Sequence, residues 1–108
     1  MSNITQVPPG PGISERFHKL ASEWKERSRF LSNTAQMAML RPYQRIIGMG
    51  SPAVPLILQE LRREPDQWFW ALESITDEDP VPPEAAGDVL LMAEAWIRWG
   101  IREGLLAP

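Results

Sequence analysis

Between Tyr43 and Ile75 the chain carries two interruptions that one continuous helix cannot absorb. The first is Gly48-Met49-Gly50-Ser51-Pro52 and the second is Glu64-Pro65-Asp66. Glycine takes the left-handed backbone that ends many helices at no steric cost, and proline lacks the N–H that a helix interior needs. The apolar residues around these breaks recur at helical spacing: Tyr43, Ile46 and Ile47, then Val54, Ile57, Leu58 and Leu61, then Trp68, Leu72 and Ile75. The pattern predicts three helices joined by a glycine elbow and a very short link, which forces the second and third into an antiparallel pair. Ser51 before Pro52 reads as an N-cap followed by the first helical residue, and Asp66 reads as the cap of the third helix. Leu56 widens the middle helix's apolar face, while Gln59, Glu60, Arg62 and Arg63 mark its solvent side.

The rest of the chain is helical by the same reasoning. Residues 1–12, with three prolines and two glycines, read as a flexible tail, and 13–108 as one helical domain. A first helix is expected from Ser14, as N-cap, to about Phe30, with Phe17, Leu20, Ala21 and Trp24 on its inner face. Its pairs Glu15–Lys19 and Glu23–Arg27 describe a solvated outer face. Ser32 or Asn33 caps a short second helix to about Leu40, with Met37, Ala38 and Leu40 inward and Met39 outward. Pro42 suits the first turn of the next helix. Pro80, Pro82 and Pro83 stiffen the segment Thr76–Glu84. A final helix begins between Glu84 and Asp88, with Val89, Met92, Ala93, Trp96 and either Trp99 or Gly100 inward and Leu90, Leu91 and Ile97 forming a second apolar side. Gly100 and Gly104 are expected to fray its end, leaving Leu105 and Leu106 to fold back or dangle. The fold class is all-α: a compact bundle of five or six helices.

Composition excludes several function classes. With no cysteine there is no disulfide framework and no thiolate zinc site. No apolar run approaches the roughly 20 residues that span a bilayer, and no basic-then-apolar leader opens the chain. The expectation is a cytoplasmic protein without a membrane partner. His18 is the sole histidine and lies off the apolar stripe, so no relay or imidazole metal site is expected. Gly48-Met49-Gly50 completes neither phosphate-loop pattern and follows no strand, so it reads as a helix cap. Asp77, Glu78 and Asp79 lack the alternate ligands and central glycine of a calcium loop, and no nucleophile or oxyanion donor accompanies them. No cofactor is expected and the reading is non-enzymatic.

The stretch Gly50-Ser-Pro-Ala-Val-Pro-Leu-Ile-Leu-Gln-Glu-Leu61, followed by Ala71-Leu72-Glu73-Ser74-Ile75, resembles a HEAT-type helical hairpin. Ala95-Trp96-Ile97-Arg98-Trp99-Gly100 is similar to the terminal helix of such arrays. About half the chain is covered and there is no second full copy, so a long solenoid is excluded. The wider pattern, from Tyr43-Gln-Arg-Ile-Ile-Gly-Met-Gly50 through Pro65-Asp-Gln-Trp-Phe-Trp-Ala-Leu72 to Ala95-Trp96 and Trp99-Gly100, resembles a family of short bacterial proteins. That resemblance implies paired small genes of mobile-element or defence type, and supplies no catalytic residues.

Charge is unevenly divided. Residues 1–54 carry seven Lys/Arg and three Asp/Glu, or +4, and residues 55–108 carry four and eleven, or −7, recovering the net −3. The plain expectation is that the two halves pack so that their charges partly face each other. The leading functional expectation is a protein–protein interaction module, an antitoxin-like regulator or accessory subunit whose partner is encoded by a neighbouring gene. Its candidate contacts are Trp70, Trp96 and Trp99 with Asp77, Glu78 and Asp79. Trp70 sits two residues from both Trp68 and Leu72 and so points off their stripe. Packing on a neighbouring helix is the favoured reading for it, and exposure at a partner surface the other. The alternative function is nucleic-acid binding by the basic half, with Arg16, Lys19, Lys25, Arg27, Arg29, Arg41 and Arg45 on phosphates.

Overall fold

The computed structural model describes residues 9–108, and all six of its α-helices pack into one all-α bundle with no strand among those residues. The longest, α1, spans Pro9–Ser28. It begins five residues ahead of the expected cap, Ser14. Proline is tolerated in a helix's first turn, where N–H groups have no intrahelical partner, so Pro9 and Pro11 open this helix rather than block it. Ser14 lies inside it, its carbonyl accepting from His18 Nδ1 at 2.7 Å. Residues 1–8 of the expected tail lie outside the described residues, and 9–12 belong to α1. The inner face of α1 is as expected: Phe17, Leu20, Ala21 and Trp24 are buried. Phe30 falls beyond the helix end and is 90% exposed, with the Arg29 guanidinium 5.4 Å from its ring centre.

The second helix, α2, is Thr34–Met39, and its cap is Asn33, whose side-chain oxygen accepts from Gln36 N at 3.0 Å. The third, α3, is Arg41–Met49, with Pro42 in its first turn. Gly50 ends it at φ +75°, a region that costs a residue with a Cβ, and its N–H bonds to Ile47 O. The Ser51-Pro52 start signal is realised differently from expectation. Residues Ser51–Ala53 form a 3₁₀ turn and the α-helix proper, α4, is Val54–Arg63. The cause is Pro55. An α-helix begun at Ser51 needs the N–H of residue 55 to bond the Ser51 carbonyl, and proline has none. Val54 N–H takes that carbonyl instead, one residue earlier, which is the 3₁₀ pattern. Gly50, not Ser51, holds the N-cap position of that turn.

The fifth helix, α5, is Phe69–Thr76. Asp66 does not cap it. Its carboxylate accepts from Gln67 N at 2.7 Å and its carbonyl from Trp68 N at 2.8 Å, closing a local turn. The cap comes from another helix. The Tyr43 hydroxyl, buried on α3, accepts from Ala71 N at 2.9 Å and donates to Gln67 O at 2.9 Å. Around it the aromatic rings of three elements close. Trp24 of α1 lies 4.5 Å, centre to centre, from Trp68 and 5.1 Å from Tyr43, Trp68 lies nearly parallel to Tyr43, and Phe17 reaches Trp68 at 5.8 Å. Trp24 Nε1 also donates to Met37 O at 2.9 Å, pinning α2. Helix α3 therefore packs on α1, α2 and α5, and α5 contacts α3 more extensively than α4.

A proline-led 3₁₀ turn, Pro83–Ala85, precedes α6, Val89–Arg102, which is capped by Asp88 accepting from Leu91 N at 3.1 Å. Its principal partner is α4. Rather than fraying, its end is tightly closed. Gly104 takes φ +75°, its N–H bonds Ile101 O at 3.1 Å, and Leu105 N bonds Gly100 O at 2.8 Å, the paired bonds of a Schellman motif. That reversal buries Leu106 and lets Arg62 of α4 donate to Ala107 O at 2.6 Å. Gly100 is needed for close approach: a Cβ there would lie 2.7 Å from Leu58 Cδ1.

Two stability predictions follow from these contacts. Tyr43→Phe strands Ala71 N–H and Gln67 C=O in a buried site, at a cost of about 2–3 kcal/mol. For a domain of this size that lowers Tm by roughly 10–20 °C, readable by thermal denaturation; an unchanged Tm would dismiss the inter-helix cap. Gly100→Ala gains about 1 kcal/mol of helix propensity but drives Leu58 into a packed core. The net is a loss of about 1–2 kcal/mol, seen as a lower denaturant midpoint at unchanged slope. A gain in stability would show that α4 and α6 have room between them.

Candidate functional site

The helix pattern sorts the five tryptophans, and the sorting differs from expectation. Trp24, Trp68 and Trp96 are completely buried and Trp99 is nearly so. Trp96 and Trp99 pack edge to face at 5.2 Å inside the bundle, which removes Trp96 as a surface contact and leaves Trp99 only an edge. Both lie on the stripe continued by Val89, Met92 and Ala93, and α4 covers that stripe. Trp70 goes the other way: it is 45% exposed, where packing on a neighbour was the favoured reading. With Phe69, Ala71 and Leu72 turned inward around it on a helix of two turns, Trp70 falls off the buried face.

Trp70 stands on a hollow of about 300 Å³ lined by Thr34, Gln67, Phe69, Glu73, Ser74 and Met92. Four segments contribute: the start of α2, the link before α5, α5 itself and the inner side of α6. Phe69 is buried and Met92 half-buried, so aromatic and thioether surface forms part of its wall. The Glu73 carboxyl is pushed above its ordinary value, by burial first and by the Asp79 charge second. Asp77, Glu78 and Asp79 follow directly and are exposed. Between Glu64 and Asp88 the sequence has eight acidic residues and no Lys or Arg, so the hollow borders a strongly negative segment. Asp77 holds φ 59° as the cap of α5, and Thr76 Oγ accepts from Glu78 N and Asp79 Oδ1 from Val81 N. The acidic loop is thus folded by its own short-range bonds. Among the described residues no group of three His, Cys, Asp or Glu is placed to hold a metal.

The basic residues divide as well. Lys25 is not free for phosphate: its ammonium bonds Glu60 at 2.5 Å and also Glu64. Arg29 pairs with Glu26 at 3.1 Å on the surface. Arg16 and Lys19 are exposed on α1. Arg27, Arg41 and Arg45 gather on a second, smaller hollow between α1 and α3. Glu60, expected on the wet side of α4, is only 5% exposed. It stands one turn after Ile57, at the edge of the apolar stripe, where Lys25 of α1 and Arg63 of its own helix (2.5 Å) enclose its carboxylate. Burial raises the Glu60 pKa, but the hydrogen bonds from Lys25 and Arg63 and their charges outweigh it and hold the carboxyl below the ordinary range. Burial likewise pulls Lys25 down, and the bonds to Glu60 and Glu64 lift it above its usual value.

The sequence signal for the first hollow was Trp70's offset from its stripe. Nothing in the sequence brought Thr34 or Met92 beside it, because those contacts depend on how α2 and α6 dock. Compared with known proteins, the chain matches no family model, no curated protein and no solved structure.

The ion network gives a pH prediction. A carboxyl whose folded pKa is depressed contributes stability that is complete above its unfolded value, about 4.3, and is lost as pH falls through the folded value. Lys25, with a raised pKa, contributes below its unfolded value and loses that contribution only as pH rises through the folded one. Glu60→Gln is therefore less stable at pH 7 and loses less stability between about pH 5 and pH 3 than the parent. Urea denaturation across that range measures it, and parallel curves for the two proteins would refute the network's role.

Proposed function

We propose that this chain is a non-enzymatic protein–protein interaction module that receives its partner on the Trp70 hollow. The observation that carries the reading is a large aromatic side chain, 45% exposed, on a concavity walled by Phe69 and Met92. Tryptophan contributes heavily to binding when a partner covers it, since it removes much apolar area from water at little conformational cost. Glu73 inside the hollow and Asp77, Glu78 and Asp79 beside it give the partner's matching chemistry: an apolar anchor flanked by Lys or Arg. The burial of Trp96 and Trp99 narrows the surface to one side of α5. The sequence resemblance to short bacterial proteins of paired small genes supplies the biological setting of the proposal: an antitoxin-like regulator or accessory subunit whose partner is a neighbouring gene product, in the cytoplasm.

The test is co-purification of the chain with the product of its neighbouring gene, comparing the parent with Trp70→Ala and with Asp77→Asn/Glu78→Gln/Asp79→Asn. Trp70 is exposed, so the alanine variant keeps its Tm within a few degrees, while partner affinity falls by about 2 kcal/mol or more, some 30-fold. The triple variant slows association and flattens its salt dependence. Equal capture by Trp70→Ala and the parent would remove this surface as the docking site.

A further inference from the structure

The second hollow has a different chemistry. Leu20, Glu23 and Arg27 of α1 face Arg41, Pro42 and Arg45 of α3 around about 180 Å³. Leu20 and Pro42 are buried and form its floor, whereas the three arginines are exposed at its rim. The two helices that carry them share a broad interface, anchored by Trp24 against Tyr43, so the rims are held in register. Arg41 and Arg45 are one turn apart on α3, as Glu23 and Arg27 are on α1.

Elsewhere Arg29, Arg63 and Arg98 each have a carboxylate oxygen within 4 Å and Arg62 donates to Ala107 O, while Arg16 and Arg102 have no carboxylate partner among the described residues. Among the described residues Arg27, Arg41 and Arg45 have none, even though Glu23 shares their hollow. Like charges one turn apart on a helix repel, so this grouping is an unfavourable arrangement that an anion would relieve. Three guanidinium groups and one carboxylate leave the hollow at +2. A phosphomonoester carries about −1.5 to −2 at neutral pH with three acceptor oxygens, and guanidinium forks match pairs of phosphate oxygens. A polynucleotide backbone, with one charge per phosphate, needs an extended basic track. Here Lys25 and Arg29 are already paired with carboxylates and Glu23 interrupts the field.

We propose that Arg27, Arg41 and Arg45 form a binding site for the dianionic phosphate of a phosphomonoester, seated between α1 and α3. Leu20 and Pro42 floor the site and Glu23 tunes its charge. The phosphate belongs either to a small free ester or to a phosphorylated side chain, and the same three arginines serve both.

The experiment follows amide NMR shifts of the full chain titrated with inorganic phosphate, with a short phosphoserine peptide and its unphosphorylated twin, and with a single-stranded oligonucleotide lacking a terminal phosphate. Saturable shifts are expected for inorganic phosphate and the phosphopeptide, centred on Arg27 and on residues 41–45. Affinity for the phosphopeptide should rise from about pH 5 to pH 7.5, as the second ionisation of its phosphomonoester near 6 completes. Arg41→Gln and Arg45→Gln each weaken binding about tenfold, Glu23→Gln strengthens it several-fold, and Lys19→Gln leaves it unchanged. If the phosphopeptide binds tighter than inorganic phosphate, the ligand is a phosphorylated protein; the reverse order assigns a small phosphate. The proposal is overturned if shifts match those from chloride at equal ionic strength or if Glu23→Gln brings no gain. It is equally overturned if the oligonucleotide binds best with a steep salt dependence that Arg16→Gln and Lys19→Gln reduce as much as Arg41→Gln does.

Discussion

The hydroxyl of Tyr43 is the point on which the bundle depends. A helix as short as α5 leaves most of its early N–H groups without intrahelical partners, and Trp68 at its N-cap position offers no side-chain acceptor. Tyr43 supplies one from α3, and the same oxygen donates to Gln67 in the link from α4. Burial comes first among the causes that drive this hydroxyl's pKa far up, so it remains a neutral donor and acceptor at any ordinary pH. One atom thus joins α3, the link and α5, and the ring that bears it is packed by Trp24 of α1 and by Trp68. Two buried indoles, at Trp68 and Trp96, have no hydrogen-bond partner among the described residues. At those two rings packing area outweighs an unmet donor, whereas Trp24 and Tyr43 hold the cluster by polar bonds as well.

From that centre the rest of the architecture follows through backbone rules. Pro55 denies Ser51 its α-helical bond, so a 3₁₀ turn delivers the chain into α4. Gly100 lets α6 approach Leu58, and Gly104 then turns the C-terminal segment back so that Leu106 closes over the same contact and Ala107 meets Arg62. Those glycines do opposite things, one by lacking a side chain within a helix and the other by taking a left-handed backbone past its end.

Much of this was legible in the sequence. The stripes Phe17-Leu20-Ala21-Trp24 and Val54-Ile57-Leu58-Leu61, the glycine elbow at Gly50, a cap at Ser32 or Asn33 and a start of α6 between Glu84 and Asp88 are local properties of spacing and residue type, and the structure selects Asn33 and Asp88. What escaped was non-local. Ser14 and Ser51 look like caps in isolation and are overridden by neighbouring prolines. Asp66 looks like a cap because the tyrosine that replaces it is 23 residues away. Glu60 looks solvent-facing until Lys25, 35 residues earlier, is brought beside it. The expectation that the basic and acidic halves face each other is met at that contact. For the candidate site, the offset of Trp70 was readable and its exposure was not, while the inner stripe of α6 already pointed Trp96 and either Trp99 or Gly100 inward, against the reading of both tryptophans as partner contacts.

The ion network explains why the two hollows are so different. Among the described residues Lys25 is the one cation of the first half drawn deep enough to pair with two carboxylates of the second. Together with Arg63 it balances Glu60 and Glu64 at the seam between α1 and α4, where burial makes an unpaired Glu60 costly. The remaining imbalance is then displaced outward, to the arginines between α1 and α3 and to the acidic run beyond α5. Neither group is neutralised from within the described residues: Arg27, Arg41 and Arg45 have no carboxylate, and Glu73, Asp77, Glu78 and Asp79 have no cation within 4 Å. A bundle that needed charge only for solubility would gain from interspersing the signs, as α1 and α4 do along their own turns. Keeping two opposite concentrations apart, each beside a concavity and with no lining residue in common, favours two recognition surfaces over one.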